Sequence, residues 1–270
     1  MTKNINVMAI QMSSELGEKE RNIEKIEKLI SKNIKKETDI IVLPEVWTVG
    51  WACKYFKDSA EPLETGNITQ FLSKMAKEYN TNIIGGSYIT KQGNKLYNTC
   101  PVINRKGELI AHYNKCHLYS YYGDNEGEIV TNGKNPVIVN IEGVRIGLSI
   151  CYDIRFPEIY RAYALKGVDL MVNVAAWGIK KEIPWVSMTH SRAIENQCYF
   201  VALTQSGEIL NGDYNLGKSA IIDYKGDNLS QINEGEGAIS AELNFEKQNE
   251  FRSKCTVLKD IHNEYKVKEY

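Results

Sequence analysis

The chain of 270 residues is poor in the features that mark extracellular, membrane or nucleic-acid-binding proteins. Its six cysteines (Cys53, Cys100, Cys116, Cys151, Cys198 and Cys255) include no C-x-x-C pair, so no disulfide scaffold is expected. Its four histidines (His112, His117, His190 and His262) form neither an H-x-x-x-H helix pair nor a Cys/His cluster with zinc spacing. No metal is therefore expected. No long uncharged apolar run occurs, including in the opening MTKNINVMAIQMSS, so we expect no signal peptide and no membrane span. The resulting expectation is a cytoplasmic protein with reduced thiols. An excess of charge is missing too: 33 basic against 34 acidic side chains argues against a dedicated nucleic-acid binder.

What is present is an ordinary globular composition, 43% hydrophobic and 25% charged, arranged as short apolar runs between longer helix-period stretches. Strands are predicted over residues 5–12, 39–43, 82–89, 95–104 and 108–114, then over 136–141 and 144–150 as a hairpin, and later over 169–174, 199–205, 218–224 and 237–243. Helices are predicted over residues 18–35, 67–79, 157–166 and 184–196, the first with Ile23, Ile26, Leu29 and Ile30 on one face. A loop rich in Tyr, Gly, Asp and Asn runs from 118 to 135. No Ser/Gly/Pro-rich linker interrupts the series. The pattern predicts one mixed α/β domain over 1–270, with a polar tail or arm from about residue 244.

Residues 212–219, GDYNLGKS, match the phosphate-loop pattern G-x-x-x-x-G-K-S. That loop works only when a helix N-terminus follows and supplies amide donors to the phosphates. Here AIIDY and then Lys225-Gly226-Asp227 follow, which read as a short strand ending in a turn. Nucleotide binding is not expected.

Three polar residues stand at the ends of predicted strands. Cys151 ends VRIGLSI and precedes a turn into a helix that starts at Pro157, a favoured first-turn residue. A thiol on such a bend can be presented next to backbone N–H groups able to receive an oxyanion, although a buried structural cysteine fits the same facts. Glu45 follows IIVLP beside Trp47, where partial burial would suit it for general-base work. Lys115 follows a strand as well. Taken singly, Glu45 reads equally as a solvated loop end and Lys115 as a surface charge.

Together these segments resemble the signature of the carbon–nitrogen hydrolase (nitrilase) superfamily: the Glu of L-P-E at 45, the Lys of K-C-H-L at 115, and the Cys of C-Y-D-I-R-F-P-E at 151. The resemblance runs over the whole chain and includes Gly85-Gly86-Ser87 within the third strand, Tyr97-Asn98, and SRAIENQ at 191–197. It implies an α-β-β-α four-layer sandwich, a Glu45-Lys115-Cys151 triad, no cofactor, and a homodimer or larger homo-oligomer. The second glutamate of the family then falls on Glu126, with Glu128 as the alternative. The implied reaction is amide hydrolysis through a thioester on Cys151. Glu45 would serve as base, and Lys115 with the backbone N–H of Tyr152 would hold the oxyanion.

The C-Y-D-I-R-F-P-E segment is most similar to the ω-amidase-like branch, which hydrolyses small carboxylate-bearing amides such as 2-oxoglutaramate. Arg155 then either clamps the distal carboxylate or makes a structural salt bridge to Asp153, Glu158 or another acid. Trp177 is expected to wall the pocket, and Trp185, Tyr119, Tyr121 and Tyr122 are further aromatic candidates. N-carbamoyl amidase, deaminated-glutathione amidase and nitrilase share the triad and stay open. So do a non-catalytic binding protein of this fold and a thiol sensor using Cys151 with Cys116. SRAIENQ is expected at the dimer face, and Cys116 is expected near the pocket.

Overall fold

A computed structural model describes residues 4–120, 125–210, 212–262 and 266–269. The strands are β1 (Ile5–Gln11), β2 (Ile40–Val42), β3 (Glu61–Pro62), β4 (Asn82–Ile84), β5 (Tyr88–Gln92), β6 (Lys95–Ile103), β7 (Leu109–Asn114), β8 (Val137–Ile141), β9 (Val144–Ile150), β10 (Leu170–Ala175), β11 (Tyr199–Thr204), β12 (Ser219–Ile222), β13 (Asn228–Ile232) and β14 (Gly237–Leu243). The helices are α1 (Lys19–Asn33), α2 (Phe56–Ser59), α3 (Asn67–Glu78), α4 (Pro157–Leu165), α5 (Glu182–Asn196) and α6 (Phe245–Lys254). One sheet runs β14-β1-β2-β4-β6-β5-β3, with β7 also paired to β6, and the other runs β13-β12-β11-β10-β9-β8.

Alternation along the strands builds the layers. Val7, Ala9, Ile40 and Val42 join Leu148, Val172, Val201 and Leu203 of the second sheet in one core. The residues between them, Met8, Ile10 and Ile41, instead meet Ile26 and Ile30 of α1 and Leu72 and Met75 of α3. On the far side, α4 lies so close to β9 that a Cβ at Gly147 would sit 2.6 Å from the Tyr163 ring. Helices therefore cover two apposed sheets in an α-β-β-α sandwich. In each sheet three neighbouring strands are parallel, β1-β2-β4 in one and β9-β10-β11 in the other. Their C-terminal ends meet at one edge, where Ser14 N–H donates to Gln205 Oε1 at 3.2 Å and Gln205 Nε2 donates to the Glu45 carbonyl at 2.6 Å.

Two expectations are corrected. The strand expected over 82–89 is two strands, because Gly86 turns the chain at φ +65° between β4 and β5. Gly85-Gly86-Ser87 is a cradle instead of strand interior. Ser87 N–H donates to the Pro44 carbonyl (3.0 Å), Val46 N–H donates to Ser87 Oγ (3.0 Å), and Trp47 Nε1 donates to the Gly85 carbonyl (2.9 Å). A Cβ on Gly86 would stand 2.0 Å from the Pro44 carbonyl oxygen. Gly86→Ala should therefore cost at least about 1–2 kcal/mol for the left-handed backbone alone, read as a lowered urea midpoint; an unchanged midpoint would remove the cradle from the account.

The polar tail expected from 244 begins as α6, capped by the Asn244 side chain accepting from Lys247 N–H at 2.9 Å. Helix α6 docks mainly through polar contacts. Gln248 donates to the carbonyls of Asp169 and Gln197, and Arg252 to those of Gln197 and Val168. Its apolar periodicity is correspondingly weak, and Phe245 is its buried apolar anchor. Lys218, in the segment resembling a phosphate loop, precedes strand β12 and not a helix.

Candidate active site

Glu45, Lys115 and Cys151 converge at that sheet edge, although they follow β2, β7 and β9 respectively. Lys115 Nζ lies 2.8 Å from Glu45 Oε1 and 2.9 Å from Glu126 Oε2, with all three side chains fully buried. Asn98 Nδ2, from β6, donates to both carboxylates at 3.0 Å. Ala176 N–H, just past β10, donates to Glu45 Oε2 at 2.8 Å, and Tyr119 N–H donates to Glu126 Oε2 at 2.9 Å. Glu128 is exposed and accepts from Asn125 Nδ2, so the carboxylate against Lys115 is that of Glu126.

Two carboxylates thus share one ammonium away from water. Burial raises Glu45 above its ordinary value; Lys115 opposes that, and Glu126 adds to it. Burial disfavours the Lys115 charge, but Glu126 and Glu45 outweigh it and keep the ammonium protonated. Burial pushes the Cys151 thiol well above its usual value, with Glu45 adding and Lys115 opposing. Cys151 is therefore a resting thiol whose neighbour is a carboxylate of raised basicity.

The local backbone is held in unusual conformations here. Cys151 has φ +46°, and Val46, following Glu45, has φ +41°, a region a β-branched residue rarely enters. Asp153 holds the cysteine turn. Its Oδ2 accepts from Ile150 N–H (2.9 Å) and Tyr113 Oη (2.7 Å), and its Oδ1 accepts from His117 N–H (3.0 Å). The turn at Cys151 is thus tied to the segment that carries Lys115. From the other side, Arg192 of α5 donates to the Ile154 carbonyl at 2.9 Å.

A cavity of about 610 Å³ opens onto Cys151. Trp51, Tyr119, Arg155, Trp177 and Lys181 are among its walls. Arg155 Cζ lies 5.2 Å from the centre of the Trp177 ring and 5.8 Å from that of Tyr152. The Asp153 carboxylate is occupied by Tyr113, Ile150 and His117. Trp185 does not line this cavity; it is buried behind Trp177, with ring centres 5.3 Å apart. Tyr121 and Tyr122 lie outside the described residues. Cys116 is turned toward the core and is not in the cavity wall, whereas Cys53 is. Within 191–197, Arg192 and Asn196 point inward, and the exposed apolar side of α5 is formed by Ile183, Val186 and Ile194.

Sequence reasoning named Asn98 only within the resemblance, without a role, and missed Lys181 and Trp51. A polar Asn inside the apolar run NTCPVI was a usable signal for Asn98. Lys181, next to Lys180 in a charged stretch, gave none.

The sequence profile of the carbon–nitrogen hydrolase family matches residues 6–253. The chain belongs to the carbon–nitrogen hydrolase family. Among its relatives, the 2-oxoglutaramate amidase of Bacillus subtilis (strain 168) is 32% identical over 259 residues, covering 96% of this chain and 98% of that protein. The crystal structure of Saccharomyces cerevisiae Nit3, a member of branch 10 of the nitrilase superfamily, matches with a TM-score of 0.84 at 27% identity, covering 93% of this chain and 94% of that one. The Xanthomonas campestris CN-hydrolase superfamily protein XC1258 matches with a TM-score of 0.90 over 98% of this chain and 100% of that one; at 24% identity it bears on the fold alone. This carbon–nitrogen hydrolase is thus an enzyme for non-peptide C–N bonds. Among its described residues, no helix is long and apolar enough to cross a membrane.

Proposed function

We propose that the protein is a cysteine amidase that converts a small carboxylate-bearing ω-amide, 2-oxoglutaramate or a close analogue, to the acid and ammonia. The observation that carries this reading is the buried Glu45-Lys115-Glu126 cluster beside Cys151, which itself lines a cavity with Arg155 in its wall. The B. subtilis relative, similar over nearly its whole length, supports the branch.

Glu45 takes the thiol proton as the Cys151 sulfur attacks the amide carbonyl. The oxyanion that forms is held by the Lys115 ammonium and the Tyr152 N–H, donors each typically worth a few kcal/mol to a transition state. Collapse breaks the C–N bond, and Glu45 returns its proton to the departing ammonia. Glu45 then takes a proton from water, the hydroxide adds to the thioester, and breaking of the C–S bond releases the acid and the thiolate, which Glu45 reprotonates. Glu126 positions Lys115. Arg155 receives the distal carboxylate with its guanidinium fork, and Trp177 walls the pocket beneath it. The reaction needs a reduced thiol and therefore suits a reducing compartment such as the cytoplasm.

An ammonia-release screen over ω-amides, carbamoyl compounds and nitriles tests the reading. Fastest turnover of 2-oxoglutaramate or succinamate is expected; a carbamoyl compound or nitrile turned over much faster would overturn it.

We also propose a homodimer built through α5, supported by the apolar stripe of Ile183 (78% exposed), Val186 and Ile194. Ile183→Glu should shift the sedimentation coefficient toward that of a monomer. A wild-type protein that already sediments as a monomer at micromolar concentration would contradict this assembly.

A further inference from the structure

We propose that Lys181 is a specificity-determining residue: with Arg155 it forms a two-cation wall that takes the carboxylate end of an ω-amide and turns away one bearing an α-ammonium group. This rests on the amidase reading above and adds to it a residue and a selection rule.

Lys180 and Lys181 are consecutive in the short turn Ile179–Lys181 and both border the cavity, but they differ in exposure and in partner. Lys180 is exposed and pairs with Asp213 at 2.5 Å, which occupies the acidic residue of the cavity wall. Lys181 is half-buried and turns inward. Its Nζ donates to Tyr119 Oη at 3.1 Å and lies 4.6 Å from the centre of that ring. The position is held at both ends. Trp177 Nε1 donates to the Lys181 carbonyl at 2.7 Å. Tyr119 is clamped to Glu126, its N–H donating to the carboxylate and its carbonyl accepting from the Glu126 N–H, each at 2.9 Å.

Lys181 Nζ and Arg155 Cζ stand 5.7 and 5.2 Å from the centre of the same Trp177 ring. Two like charges held near one apolar surface repel, and a bound anion relieves that cost. Burial and Glu45 raise the Cys151 thiol, and the Lys181 charge, after that of Lys115, opposes the rise, so it reaches the reacting end of the cavity. An amide carbonyl at Cys151 therefore places the other end of a short substrate between these cations. A carboxylate with a 2-oxo neighbour presents only acceptors to them. An α-ammonium at the same carbon instead adds a further positive charge beside them.

The test compares kcat/KM for 2-oxoglutaramate, glutarate monoamide, L-glutamine and uncharged butyramide in wild type, Lys181→Met and Lys181→Arg. In Lys181→Met the two anionic amides should lose about 10- to 100-fold, the scale of one charge-assisted hydrogen bond, mainly through KM. Butyramide should change by less than about threefold, and the preference for 2-oxoglutaramate over L-glutamine should shrink by about tenfold or more. Lys181→Arg should restore most of both effects, which a merely structural role for the side chain would not require. Equal loss for all four amides, or selectivity unchanged in Lys181→Met, overturns the proposal. A wild-type enzyme that turns over butyramide as well as the anionic amides fails the ω-amidase reading itself. A wild type that prefers the anionic amides while Lys181→Met keeps that preference fails Lys181 alone.

Discussion

Cys151→Ala is expected to release no ammonia from 2-oxoglutaramate above background while folding as the wild type does. Removing the nucleophile of a covalent mechanism typically costs on the order of 10⁵-fold or more in kcat, because the remaining groups have no bond to make. The side chain is small and 5% exposed, and the φ of +46° at this position is tolerated about as poorly by cysteine as by alanine. The substitution should therefore leave far-UV circular dichroism and the thermal midpoint close to those of wild type. Cys151→Ser should be nearly as inactive. A hydroxyl is far less acidic than a thiol, and burial already raises even the Cys151 thiol well above its usual value. Substantial residual activity in Cys151→Ala would remove the thioester from the account.

The second large effect is expected on stability. Lys115→Met leaves Glu45 and Glu126 buried around Asn98 with no ammonium between them. Breaking a buried ion pair by removing one partner typically costs about 3–5 kcal/mol, and ammonia release should also disappear. The loss should depend on pH in a defined direction. Burial already raises Glu45, and deleting Lys115 removes the pull that opposes the rise. A carboxyl group raised on folding contributes stability that is fully present below its unfolded pKa, about 4.3, and is lost as pH rises through the folded value. Lys115→Met should therefore recover stability on acidification from about pH 8 to about pH 5. Urea unfolding at several pH values reads this directly; a deficit independent of pH would mean that both carboxylates stay ionised in the folded variant across this range.

The layers of this fold were readable because alternation carries them. Val7 and Ala9 face one core and Met8 and Ile10 the other, and that period of two stands in the sequence of β1. The break at Gly86 was not readable. An apolar run with two glycines fits a continuous strand until the Glu45 loop packs against it. Helix α6 was missed for a related reason, since its anchoring by Gln248 and Arg252 to carbonyls of β10 and α5 neighbours leaves no apolar stripe to detect. At the site, the three strand-end residues were visible one by one, but their convergence rests on pairings between distant segments. Glu126 and Glu128 could not be told apart by spacing, and one carboxylate on Lys115 separates them. Lys181 is the clearest case, because both lysines of the turn at 179–181 border the cavity and only the folded structure pairs Lys180 with Asp213 and holds Lys181 against Tyr119.

The central claim is that Cys151 carries the acyl group. Rapid acid quench of the enzyme during turnover of 2-oxoglutaramate, followed by intact-protein and peptide mass spectrometry, tests it most directly. The account predicts a mass increase equal to the acyl fragment of the substrate, confined to the peptide containing Cys151 and absent from Cys151→Ala. Ammonia release with no adduct under those conditions, or an adduct on another residue that persists in Cys151→Ala, would contradict it.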